Sequence, residues 1–169
     1  GNRRITADAL GPRTMQHILV TMGAGAAPPV QGLRPVAAVA PGVAAATGLS
    51  LQQLAAALVG QLRPAAVVCV DSLCSAEGQR LGRTVQFSDS GLYPAQADHT
   101  RHLTRDTLGV PVVAAGIPTL MQAQEGADLV VTPRALDSVI AHGAALLACA
   151  VNRALQPRLT VQQLCWLTG

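Results

Sequence analysis

The segment Ala65-Ala66-Val67-Val68-Cys69-Val70 is an apolar run that ends in a charge, Asp71, with Ser72 after it. A run without polar alternation fits a strand covered on both faces, which is a strand in the middle of a sheet with helices on either side. A carboxylate at its last position emerges at the strand's C-terminal end, where open α/β sheets build their sites. The same position also suits the N-cap of a following helix. The run constrains the fold more than it constrains the role of Asp71.

The rest of the chain supports such a sheet. Pro35 to Ala40, Thr84 to Phe87, Val110 to Ala115 and residues 129–133 read as further short strands. Between them lie helical spacings over 8–22, 51–62 (capped by Ser50), about 72–80, 99–107, a turn at 119–125, and 134–155, with a last turn over 160–168 capped by Thr160. Gly116 and Pro118 are expected to end the strand before them, and Pro64 and Pro157 to stop helices. Alternating strands and helices predict a three-layer α/β domain with a mainly parallel sheet.

With 169 residues, one domain is expected, long enough to bury a core. Half of the residues are hydrophobic and only 12% are charged, and all twelve basic residues are Arg. The net charge of +3 steers weakly toward an acidic protein substrate. It does not suit nucleic acid: no Arg cluster exceeds Arg3-Arg4, and one Phe, one Tyr and one Trp make no stacking platform. Cys69, Cys74, Cys149 and Cys165 have poor zinc spacing and read as structural thiols of a reducing compartment. No uninterrupted apolar run approaches the roughly 20 residues that span a bilayer, and Gly1-Asn2-Arg3-Arg4-Ile5 does not open a signal peptide. The chain opens without an initiator Met, so a segment upstream is expected to have been removed or left out.

Paired acids are the enzymatic chemistry that survives elimination. There is no Gly-x-Ser-x-Gly elbow, and a phosphate loop needs a Lys that the chain lacks. Cys74 has no evident His partner. His99 and His102 share a helical spacing without a nearby third metal ligand. Asp8, in Thr6-Ala7-Asp8-Ala9-Leu10-Gly11-Pro12, falls where a helix begins, which favours an acid for dipole reasons alone. Two acids from distant segments, Asp8 and Asp71, are the minimum for acid/base hydrolysis. Asp89, between Ser88 and Ser90, reads as a turn residue or as an orienting group for the site.

Seven segments then match a known pattern in order. They are Thr6–Pro12; Leu33-Arg34-Pro35-Val36 leading into Ala40-Pro41-Gly42-Val43 and Thr47-Gly48; Val70-Asp71-Ser72-Leu73; Thr84–Gly91; Thr107–Val112; Gly116-Ile117-Pro118-Thr119; and Val130-Val131-Thr132-Pro133. On these the chain resembles the germination proteases, endopeptidases that degrade small acid-soluble spore proteins. The resemblance implies a phosphorylase/hydrolase-like α/β fold, similar to that of hydrogenase maturation proteases. It also implies an atypical aspartic mechanism resting on the acids at Asp8 and Asp71, with no metal or other cofactor. Asp89 and the backbone at Pro41 and Gly42 are expected to line the substrate groove. The expected setting is the cytoplasm of the spore core, in a homo-oligomer, with spore proteins as substrate and neither nucleic acid nor membrane as partner. The family's propeptide and first strand or strands are expected to be missing from residues 1–169. Two other readings are a metal-dependent maturation-type protease using Asp8, Asp71 and a histidine, and a non-catalytic remnant that binds spore proteins. One departure stands out: where the family carries a Gly-rich basic stretch, this chain reads Pro94-Ala95-Gln96-Ala97-Asp98-His99.

Overall fold

The apolar run around Val67 forms a strand that does not stop at the acid. β1 spans Val67–Ser75, so Asp71 is its fifth residue of nine. The computed structural model describes residues 1–23, 31–93, 102–122 and 130–169. The other strands are β2 (Gln86–Ser88), β3 (Val112–Gln122) and β4 (Val130–Val131). β3 is central: it pairs parallel to β1 and antiparallel to both β2 and β4. The sheet is therefore mixed rather than mainly parallel among the described residues. Both short strands run against β3, so β1 is its one parallel neighbour among the described residues.

Helices cover both faces, and the sheet's period of two sorts the core between them. Val70, Ala115 and Ile117 face one cluster with Ala9, Leu10, Ile140, Ala144 and Leu147. Those residues come from α1 (Leu10–Met15), the residue before it, and α5 (Leu136–Leu155). Cys69, Val112 and Ala114 face the other cluster, with Leu92, Leu103 and Leu108, and with Leu51, Ala55 and Val59 of α3 (Leu51–Leu62) packed against it. Two shorter helices, α2 (Ala44–Thr47) and α4 (Arg105–Leu108), flank α3 in sequence, and α6 (Val161–Thr168) ends the chain.

Several sequence expectations hold. Ser50 and Thr160 cap α3 and α6, each with a reciprocal bond to a Gln side chain three residues on. α5 carries the apolar stripe that its spacing predicted and is 20 residues long. By length and composition α5 is apolar enough to cross a membrane. In this fold its stripe through Ile140, Ala144 and Leu147 is buried in the core.

Others fail for physical reasons. No helix forms over 72–80, because Leu73, Cys74 and Ser75 continue the ladder with β3 and turns follow. β3 likewise runs through Gly116 and Pro118, the residues expected to end it. Pro118 is tolerated because a bulge follows at once: Leu73 pairs with Pro118, Cys74 with Leu120, and Thr119 has no partner in β1. Pro35–Ala40 is not a strand. Its start is held by residues from elsewhere: the Val36 carbonyl accepts the N–H groups of Thr21 and Met22, the Val36 N–H donates to Thr21 Oγ1, and Arg34 before it bonds Gln156 and Thr21 Oγ1. The helical spacing over 8–22 yields only a 3-10 turn at Thr6–Asp8 and the six residues of α1. Residues 94–101 and 123–129 lie outside the described residues, which takes in His99, the start of the expected helix over 99–107 and the end of the turn at 119–125.

Candidate functional site

Asp71 stands two residues after Cys69 and so shares its face of the sheet. Across the ladder its partner is Gly116. A Cβ on Gly116 would collide with the Asp71 carbonyl oxygen and lie 2.6 Å from Leu73 Cγ, so glycine is needed for β1 and β3 to approach at this row. The Asp71 side chain is 23% exposed. Its Oδ1 accepts the N–H of Ser72 at 3.0 Å and lies 3.8 Å from the Gly1 amino group.

Asp8 reaches the same place from the other end of the sequence. It is the last residue of the 3-10 turn that precedes α1. Glycine matters here as well: a Cβ on Gly11 would lie 2.5 Å from the Val70 carbonyl oxygen, so α1 lies close against β1 one residue before Asp71. Asp8 Oδ2 accepts the N–H of Asn2 at 2.6 Å. Gly1 is the residue between the two acids, since its Cα carries its substituent position 3.2 Å from Asp8 Oδ1 while its amino group faces Asp71.

The Asp71 pKa is raised above its ordinary 3.8. Burial is the largest cause; the Gly1 amino charge opposes it; the Asp8 charge adds to it; and the bonds from Ser72 and Gly1 oppose it. Asp71 in turn acts on its neighbour in the strand. The Cys69 thiol is pushed up to about 11, first by burial and then by the Asp71 charge, which makes it an inert core thiol.

A cavity of about 270 Å³ opens beside Gly1, lined by Gly1, Arg3, Pro12, Ala40 and Gly42. It lies between the Ala40–Gly42 segment and Gly1, Arg3 and Pro12, and neither Asp8 nor Asp71 lines it. Of the predicted groove residues, Gly42 lines it and Pro41 lies between two lining residues. Asp89 follows β2, which lies across β3 from the strand that carries Asp71. Gln86 and Asp71 sit on either side of Gly116, but β2 runs downward from there, with Ser88 opposite Ala114. Asp89 is the residue after the end of β2. It is exposed, in a turn held by a 2.7 Å contact between the hydroxyls of Ser88 and Ser90.

Among the described residues no three His, Cys, Asp or Glu side chains converge into a group that could hold a metal ion. His102 of the expected histidine pair meets Tyr93 edge to face at 5.0 Å between ring centroids. The sequence reading missed two residues that shape the site. Ser72 Oγ is buried beside Asp71 with no hydrogen-bond partner. Thr119, at the bulge, donates through Oγ1 to the carbonyl of Ala7 at 2.6 Å. A threonine next to a proline in a strand carries no signal of such a contact, because its partner lies 112 residues away.

A family model described as germination protease matches residues 1–125. A germination protease of Halalkalibacterium halodurans is 37% identical over 147 residues, covering 84% of this chain and 38% of that protein. One of Bacillus subtilis is 38% identical over 128 residues, covering 73% of this chain and 35% of that protein. One of Clostridium perfringens is 28% identical over 215 aligned positions, covering 97% of this chain and 66% of that protein. The chain spans from about a third to two thirds of the length of these relatives.

Proposed function

Because the chain belongs to the germination protease family, we propose that it carries an endopeptidase site in which Asp8 and Asp71 activate water together. The supporting observation is that the Asp71 pKa is raised, with the Asp8 charge among the causes. Two carboxylates that feel each other do not both ionise cheaply and share a proton. Asp71, buried and raised, takes the part of the protonated member. Asp8, half-buried and bonded to the Asn2 N–H, takes the part of the carboxylate. Asp8 draws a proton from water as its oxygen attacks the scissile carbonyl carbon. Asp71 gives its proton to the carbonyl oxygen as the tetrahedral gem-diol intermediate forms; on collapse Asp8 passes the proton taken from water to the leaving nitrogen, the C–N bond breaks, and one gem-diol hydroxyl returns its proton to Asp71 as the carboxylic acid forms.

The cavity beside Gly1 is the groove of this reading, and the Ala40–Gly42 backbone is one wall of it. The substrate class we assign is the small acid-soluble spore proteins, cut in the cytoplasm of the spore core, by a homo-oligomer that uses no cofactor. Helices on both faces of a sheet agree with a hydrolase-like α/β arrangement of the kind the family resemblance implies.

The test is incubation of the chain with a small acid-soluble spore protein, with and without chelator. Discrete cuts that survive chelation are expected. Asp71→Asn and Asp8→Asn each lose about 10³-fold or more in kcat/KM, with the far-UV CD spectrum unchanged. For a general acid at Asp71, kcat/KM falls as pH rises through the raised Asp71 pKa. An Asp71→Asn chain that cuts at the wild-type rate overturns the assignment, and activity abolished by chelator points to the metal-dependent reading.

A further inference from the structure

We propose that Thr119 is a positioning residue for the acid pair, holding the Thr6–Asp8 turn at the separation from β1 at which Asp8 and Asp71 interact. Thr119 is 0% exposed and is the one residue of the β3 bulge without a partner in β1. Freed from the ladder's pairing, its side chain reaches out of the sheet to the Ala7 carbonyl at 2.6 Å. The carbonyls before it in the turn are otherwise engaged: Ile5 accepts from Asp8 N–H and Thr6 from Ala9 N–H. Ala7 and Asp8 are adjacent, so their Cα atoms are fixed about 3.8 Å apart. Pinning the Ala7 carbonyl to the sheet therefore fixes where the Asp8 side chain starts.

The bulge is itself anchored. Pro118 restricts the backbone before Thr119, and its carbonyl accepts the N–H of Gly82 at 2.7 Å. Leu73 and Cys74 of β1 pair with the residues on either side of Thr119. Both Asp71 and the anchor for Asp8 are thus referred to the same pair of strands, one through the β1 backbone and one through a hydroxyl on β3. A bulge at this point turns a sheet residue into a bracket for a loop from the far end of the chain.

The consequence is a coupling that depends on one hydroxyl. The charged groups acting on Asp71 are the Gly1 amino group and Asp8, and Asp71 in turn acts on the Cys69 thiol. Carboxyl carbon-13 NMR titration of Asp71 reads the Asp8 contribution as the shift produced by Asp8→Asn. In the wild-type background that substitution lowers the Asp71 pKa, because a like charge is removed. In a Thr119→Val background, which keeps the shape and loses the hydroxyl, the same substitution leaves the Asp71 pKa unchanged. Thr119→Ser, which keeps the hydroxyl, restores the shift. Thr119→Ala serves the same comparison if the valine chain does not fold. A melting temperature that falls is not diagnostic, since loss of any buried hydrogen bond lowers it. An Asp8→Asn shift of equal size with and without the Thr119 hydroxyl overturns the proposal and leaves Thr119 a structural residue. This inference deepens the protease reading only in its kinetic arm, where Thr119→Val lowers kcat at unchanged KM. The NMR arm stands apart: were Asp71→Asn to cut normally, the protease reading would fail while the coupling through Thr119 could still be measured.

Discussion

Burying Asp71 costs the fold something at neutral pH, and the sign follows from its raised pKa. A carboxyl whose folded pKa lies above its unfolded 3.8 favours the neutral form in the folded state. Its contribution to stability is fully present below pH 3.8 and is lost as pH rises through the folded pKa. Asp71→Asn, which is neutral at every pH, is therefore expected to raise the melting temperature at pH 7 and to lose that advantage below pH 3.8. Thermal melts of both chains across pH 3–8 check this, and an equal melting difference at pH 3 and pH 7 contradicts it. The readout is circular dichroism, because the one tryptophan, Trp166, is 87% exposed and reports on α6 rather than on the core. The two acids were legible in the sequence as residues, one closing an apolar run and one in a matching motif. Their mutual effect was not. The contacts that flank it include those of the backbone N–H groups of Asn2 and Ser72, which almost any residue type would supply.

At the scale of the element, β3 holds the site together. Among the described residues it pairs with every other strand, carries Gly116 opposite Asp71, and carries Thr119 at the bulge. Gly116→Ala places a methyl group on the Asp71 carbonyl and the Leu73 side chain. The overpacking is expected to cost about 3 kcal/mol. It also separates β1 from β3 at the row that holds the acid, so activity falls further than stability alone explains. Chemical denaturation with parallel activity measurements tests both parts; a loss of less than about 0.5 kcal/mol contradicts the account. Gly116 and Pro118 read locally as strand breakers, and that reading failed for an instructive reason. Glycine and proline weaken an isolated strand, but here one fits a close approach and the other sits beside a bulge, and neither circumstance is local. The helices were read better. Caps at Ser50 and Thr160 and the stripe of α5 involve residues three or four apart, so the information lies within one window of sequence.

Across the whole molecule, the C-terminal end of α5 braces the segments that frame the cavity. Buried Asn152 accepts the N–H of Leu19 at 2.9 Å and donates to the carbonyl of His17 at 2.8 Å, just past α1. Four residues on, Gln156 bonds both backbone groups of Arg34, upstream of Ala40 and Gly42. Asn152→Ala leaves two backbone groups without their partner and is expected to cost about 3 kcal/mol, a fall in melting temperature of roughly 9 °C. A change under 2 °C would show that these bonds are replaced by water without loss. By itself the sequence determined the α/β class, the helices α3, α5 and α6 and the family, because each rests on short-range periodicity or on ordered motifs; the two acids it offered as candidates. The tertiary structure alone decided that Asp71 lies mid-strand, that the sheet is mixed among the described residues, that Asp89 follows the end of β2, and that Thr119 donates to the Ala7 carbonyl. These depend on strand register and on a contact between residues 112 apart, and neither is set until the backbone of β3 has found its partners.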